Sequence, residues 1–106
     1  MNLRFWVYIL LCANGNYYTG YTTDLQRRYQ EHLAGTAKCK YTRSFKPVKL
    51  ARCWEVTEGK SLALKIERYI KKLSREEKEK LIAKPALLTQ QFAAKTFRWR
   101  SPKQDK

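Results

Sequence analysis

The chain begins with a nearly unbroken apolar run. Phe5-Trp6-Val7-Tyr8-Ile9-Leu10-Leu11 carries little polar alternation, which predicts a strand covered on both faces. Asn14-Gly15-Asn16 follow, residue types that accept the backbone of a tight hairpin turn. Tyr17 to Tyr21 then reads as the returning strand. Beyond it the period lengthens: Leu25, Tyr29 and Leu33 recur at i, i+4 and i+8, the inward stripe of a helix. Thr22 or Thr23 caps its start, Asp24 sits in its first turn and Gly35 stops it. Residues 36–46 lack periodicity and read as a basic loop ended by Pro47. Val48 to Thr57 predicts a third strand. Leu62, Ile66, Tyr69, Ile70 and Leu73 mark the buried face of a helix from Lys60 to Leu73. Ser74, with Glu77 three residues later, forms a capping box that restarts a helix through Lys84. Pro85 opens one further turn or two bearing Leu87, Leu88 and Phe92. From Ala93 onward the chain is polar and basic and reads as a loose tail.

These elements predict an α+β fold: a small three-stranded, mostly antiparallel sheet flanked by helices, in β-β-α-β-α-α order. The 106 residues suit one domain, residues 1–84, with 85–106 as a C-terminal extension of a short helix and a basic tail. No apolar run approaches the roughly 18 residues of a membrane span. The apolar start, preceded only by Arg4, is shorter and less basic than a secretory signal. The expectation is a cytoplasmic protein with no membrane partner.

Charge narrows the function. Twenty-three Lys and Arg face nine Asp and Glu, a net +14. Self-repulsion of that size opposes compaction, so it points to an anionic partner, nucleic acid before a membrane surface. Ribosome association fits the charge equally well. Cys12, Cys39 and Cys53 form no CxxC pair, and His32 is the only histidine, so a zinc site is not expected. They read as reduced thiols, two of them on buried strands.

Candidate chemistry lies in five side chains, each with a plainer reading beside it. Arg28 and His32, four apart on the first helix, can meet one target; equally they belong to a solvated face on which Arg27 pairs with Glu31 and Arg28 with Asp24. Tyr8 and Tyr18 are near neighbours across the hairpin, and strands favour tyrosine for packing alone. Gly20 within a strand marks a close approach that leaves room beside Tyr18. Glu67 stands at the edge of the second helix's buried face, and an i,i+4 pair with Lys71 would account for it.

Taken in order, these positions resemble the GIY-YIG nuclease domain. Tyr8 matches the tyrosine of its first motif, and Tyr18 and Gly20 match the second. Arg28, His32 and Glu67 match the family's arginine, a histidine common in many branches, and its metal-binding glutamate. Trp6-Val7-Tyr8-Ile9-Leu10, Tyr18-Thr19-Gly20-Tyr21-Thr22, Lys40-Tyr41-Thr42-Arg43 and Ile66-Glu67-Arg68 are similar to the small standalone branch. The likeness covers roughly residues 4 to 82. Trp6 stands where the family name has Gly, Thr19 where it has Ile, and no Asn follows Asn16, where larger members carry one near the active site.

The resemblance implies hydrolysis of nucleic-acid phosphodiesters, DNA before RNA, with one divalent metal, Mg2+ or Mn2+, and no small-molecule cofactor. Glu67 would hold the metal and Arg28 would stabilise phosphoryl charge. His32 would hydrogen-bond the phosphate or a tyrosine. Tyr8 would be the general base, its pKa lowered by the guanidinium and metal, with Tyr18 as helper. Lys38, Lys40, Arg43 and Lys46 would contact phosphates, and Tyr41 would stack on bases. The process would be repair or nucleic-acid processing. The alternative is a non-catalytic RNA- or ribosome-binding module, which makes no demand on Tyr8, Arg28 and Glu67.

Overall fold

The computed structural model describes residues 4–36 and 39–92, and the backbone of 95–97. It has the expected α+β architecture. β1 (Phe5–Cys12) and β2 (Tyr17–Thr22) form the hairpin, followed by α1 (Leu25–Ala34), α2 (Lys40–Ser44), β3 (Pro47–Val56), α3 (Lys60–Lys71), α4 (Arg75–Ala83), α5 (Ala86–Thr89) and β4 (Lys95–Phe97). The sheet order is β2-β1-β3-β4, and every pair is antiparallel. The three predicted strands therefore form its body, with β1 central and β2 at an edge.

The apolar run of β1 is explained by cover on both sides. Val7 and Ile9 face a core built with Trp54, Val56 and the α3 residues Ala63, Ile66 and Ile70, closed by Leu81 and Leu88. Tyr8, Leu10 and Cys12 face a second core with Cys53, Leu25 and Tyr29. All of these are under one tenth exposed. α1 and α2 thus lie over one face of the sheet, and α3 to α5 over the other.

Three features depart from the sequence reading. Residues 36–46 are not all loop: Lys40–Ser44 close a short helix that offers too few turns to show periodicity. The segment expected as a loose tail supplies β4, whose Lys95, Thr96 and Phe97 pair with Glu55, Trp54 and Cys53. Asp24, not Thr22 or Thr23, caps α1, accepting from the Arg27 N–H at 3.1 Å. Thr22 instead accepts from the Asp24 N–H and positions the cap. The remaining signals match their elements. Gly35 ends α1 with φ 76°, and Ser74 and Glu77 form the reciprocal capping box of α4.

Candidate active site

Register decides which side chains can meet. Tyr8 pairs with Gly20 and Leu10 with Tyr18, so Tyr8 and Tyr18 project from the same face of the hairpin, diagonally placed. Their ring centroids are 6.5 Å apart. Gly20 makes this possible: a Cβ there would lie 2.6 Å from the Tyr8 hydroxyl and 3.3 Å from the Tyr18 ring. The glycine leaves room for Tyr8 above all, and for Tyr18 only second.

α1 lies over that face and brings His32 into it. The inward stripe is Leu25, Tyr29 and His32, with Leu33 half-buried beside it. His32 is 1% exposed, its ring 5.8 Å from Tyr8 and 5.4 Å from Tyr18. Its Nε2 is 2.9 Å from the Tyr8 hydroxyl and its Nδ1 is 2.7 Å from Thr42 Oγ1. Thr42 directs its one hydroxyl proton at Cys39, whose carbonyl oxygen lies 3.4 Å away. Nδ1 therefore carries the imidazole proton and donates it to Thr42, which leaves Nε2 to accept from Tyr8. Hydrogen bonds thus link Tyr8, His32, Thr42 and Cys39 in one chain.

Burial governs the protonation states. It pushes the Tyr8 phenol well above its usual range, with Tyr18, Cys39 and Glu67 adding to the rise and Arg28 opposing it. Burial also raises Tyr18, helped by the hydrogen bond it gives Cys39 and opposed by Arg28. The expected lowering of Tyr8 is thus not met in the protein alone: the guanidinium pulls in that direction but desolvation is larger. Burial, then the charge of Arg28, lower His32 to about 4, against a smaller upward pull from Glu31. At neutral pH the site holds two protonated phenols and a neutral imidazole. Cys39 sits against it with its thiol lowered: burial pushes it up, but hydrogen bonds from Thr42, Tyr18 and the Tyr41 backbone outweigh that.

Arg28 and Glu67 bring the fixed charges. The electrostatic pull of Arg28 reaches Tyr8, Tyr18 and His32, and that of Glu67 reaches both tyrosines. One residue comes from α1 and the other from α3. The Arg28 Nε is buried without a hydrogen-bond partner, and Glu31 Oε1, 3.3 Å away, is outside its N–H direction. Arg27, not Arg28, approaches Asp24, and it also approaches Glu31. Glu67 does pair with Lys71 at 3.6 Å, as the plainer reading expects, but its side chain is only 14% exposed and its charge is felt by the phenols. Tyr8, Tyr18 and His32 therefore share one neighbourhood, and the charges of Arg28 and Glu67 act on its phenols.

Around them, Tyr41 stacks on Tyr18, with centroids 6.3 Å apart and planes 17° apart, and Phe45 packs on Tyr41. Lys40 and Arg43 on α2 and Lys46 after it are exposed. Lys38 lies outside the described residues. Thr42 and Cys39 were not legible as site residues, since a helix of five residues in a basic stretch shows no inward face in sequence. Lys40-Tyr41-Thr42-Arg43 held the only signal.

The GIY-YIG catalytic domain matches residues 4–80. A UPF0213 protein of Halobacterium salinarum is 53% identical over 75 residues, 71% of this chain and 95% of its own length. One from Natronomonas pharaonis is 49% identical over 78 residues, 74% of this chain and 89% of its own. The solution NMR structure of a UPF0213 protein from Bacillus halodurans is 40% identical, covers 81% of this chain and 93% of its own, and superposes with a TM-score of 0.49. The chain belongs to the GIY-YIG family, whose domain points to nuclease chemistry on nucleic acid. Among the described residues no helix is long and apolar enough to cross a membrane.

Proposed function

We propose that the protein is a divalent-metal-dependent endonuclease that hydrolyses phosphodiester bonds of DNA. What supports this reading is that the charges of Arg28 and Glu67, on helices over opposite faces of the sheet, both act on the Tyr8 and Tyr18 phenols. A packing role for the tyrosines does not account for a buried Nε without a hydrogen bond and a carboxylate only 14% exposed, whose charges both act on them.

The residues fit one hard cation. Among the described residues no three His, Cys, Asp or Glu side chains are grouped to hold a metal, so a closed cage is not built. A single carboxylate, Glu67, suits Mg2+ or Mn2+, which keep several waters and share phosphate oxygens. Bound there, the ion would polarise the phosphate and stabilise the leaving oxygen.

The chain's own groups supply the rest. Arg28, whose side chain is partly exposed, offers its terminal amines to the phosphoryl oxygens, where charge builds. Tyr8 is protonated at rest, so it takes a proton from the attacking water only as its own proton passes to His32 Nε2. The hydroxide oxygen bonds to phosphorus, the bond to the leaving sugar oxygen breaks, and that oxygen takes a proton from solvent. Tyr18 orients the water or phosphate. Exposed Lys40, Arg43 and Lys46 hold neighbouring phosphates. Repair or nucleic-acid processing in the cytoplasm is the setting that suits such an enzyme.

The test is incubation of purified protein with single-stranded, duplex and branched DNA, and with RNA, with and without Mg2+ or Mn2+. Metal-dependent cleavage of DNA supports the reading. Tight binding with no cleavage under any condition supports the non-catalytic RNA- or ribosome-binding module instead.

A further inference from the structure

Beside the candidate site, and opening onto it through Tyr18, lies a groove of about 300 Å³ lined by Asn16, Tyr17, Tyr18, Tyr41, Arg75 and Lys78. None of Asn16, Tyr17, Arg75 and Lys78 is needed for the hydrolysis described above. The edge position of β2 explains the groove. Tyr17 and Tyr18 point to opposite faces, Tyr17 into the core under α3 and Tyr18 into the core under α1. A channel along the edge is therefore flanked by aromatic rings from both faces, with α2 on one side and α4 on the other.

Its walls are fixed in advance. Tyr17 donates its hydroxyl to Glu79 at 3.2 Å and carries the Arg75 guanidinium 5.2 Å from its ring centroid. Arg75 donates to the Gly15 carbonyl at 2.7 Å and lies 3.6 Å from Glu79. Tyr41 accepts from Asn14 Nδ2 at 2.9 Å while stacking on Tyr18. Rings held by their hydroxyl ends have little further ordering to lose on binding. Aromatic faces with adjacent cations are what proteins use to hold unpaired bases and their phosphates.

We propose that this groove holds one unpaired nucleotide next to the scissile phosphate, which makes single-stranded DNA, or the single-stranded arm of a branched DNA, the substrate class. The inference rests on the nuclease reading for the position of that phosphate. A base enters among Tyr17, Tyr41 and Tyr18, and its phosphate meets Lys78 and Arg75. A paired base reaches the same place only after unpairing and unstacking, so duplex is disfavoured.

The test separates binding from cleavage. Wild-type protein in EDTA is titrated by fluorescence anisotropy against a labelled DNA of roughly a dozen nucleotides, within the usual site size of such grooves, as a single strand and as a duplex. Tyr17→Leu retains most of the packing of the ring, and Lys78→Glu alters a side chain at the groove wall; thermal melting confirms that each folds. Single strand is expected to bind about tenfold tighter than duplex, and each variant to weaken single-strand binding about five- to tenfold with little change for duplex. Equal or tighter duplex binding by the wild type, or an unchanged preference in both variants, overturns the proposal. Adding Mg2+ reads the underlying nuclease reading separately. Absent cleavage with the binding preference intact rejects that reading alone, and cleavage without the preference rejects the groove alone.

Discussion

Gly20 and Tyr8 stand opposite each other on paired strands, and the Tyr8 hydroxyl fills the space a side chain at position 20 would need. A Cβ at Gly20 would lie 2.6 Å from that oxygen and 2.7 Å from the ring carbon bearing it. Tyr8 is 2% exposed, so the ring has little room to yield. Gly20→Ala is therefore expected to cost about 1–3 kcal/mol in urea denaturation, as overpacked cores do. It also displaces Tyr8 from His32, so activity falls further than the lost stability accounts for. A variant as stable and as active as the wild type would show that Tyr8 is not held where its hydroxyl meets the imidazole.

Thr42 sets the tautomer of His32. Thr42→Val keeps the shape but leaves a buried Nδ1–H unpaired, at a cost of about 1–3 kcal/mol. Nitrogen NMR of the imidazole at neutral pH is expected to show Nδ1 protonated and Nε2 unprotonated in the wild type. In Thr42→Val that pattern is lost or mixed. The opposite tautomer in the wild type would mean that His32 donates to Tyr8 and is not placed to receive its proton.

Acid should weaken the fold through the same residue. Burial and Arg28 lower His32 to about 4 in the folded state, while in the unfolded chain it titrates near 6.5. Between those values the unfolded chain binds the extra proton, so stability rises with pH. The contribution is fully present above about 6.5, is lost as pH falls through the window to about 4, and amounts to no more than about 3 kcal/mol. Denaturation of wild type and His32→Gln across pH 4 to 7 checks this: the slope assigned to His32 disappears in the variant. The acid limb of the pH–rate profile should likewise fall near 4, not near 6.5.

How far the sequence spoke depends on how long each signal ran. The apolar run of β1, the Asn14-Gly15-Asn16 turn, and the ten- and twelve-residue helices α1 and α3 repeat their periods enough to be read. α2, with five residues, and β4, with three, do not. The site followed the same rule. Tyr8, Tyr18, Arg28, His32 and Glu67 stand out only as an ordered set of motifs, since spacing alone leaves each with a packing or ion-pair explanation. Thr42, Tyr17, Arg75 and Lys78 belong to no such set. They come together only because α2 and α4 close over the two sides of an edge strand. The protonation states were the least legible, because desolvation of Tyr8 outweighs a guanidinium that sequence alone places beside it.

Lys40, Arg43 and Lys46 supply sequence-blind affinity. Replacing the three with Ala should weaken DNA binding across sequences and flatten the dependence of log K on log salt by about 2 for a single strand. Anisotropy titrations at several salt concentrations measure it. An unchanged slope would place the phosphate track on another face.

The most direct measurement of the central claim is the single-turnover rate of DNA cleavage in Mg2+ or Mn2+ by wild type, Arg28→Ala and Glu67→Ala, each checked for folding by thermal melting. The account predicts metal-dependent cleavage by the wild type. It predicts a loss of about 10²- to 10³-fold in Arg28→Ala, as for removal of a donor to developing charge, and no metal-dependent rate in Glu67→Ala. Cleavage that survives both substitutions at the wild-type rate would contradict it, because the chemistry would then lie outside the group of Tyr8, Tyr18, Arg28, His32 and Glu67.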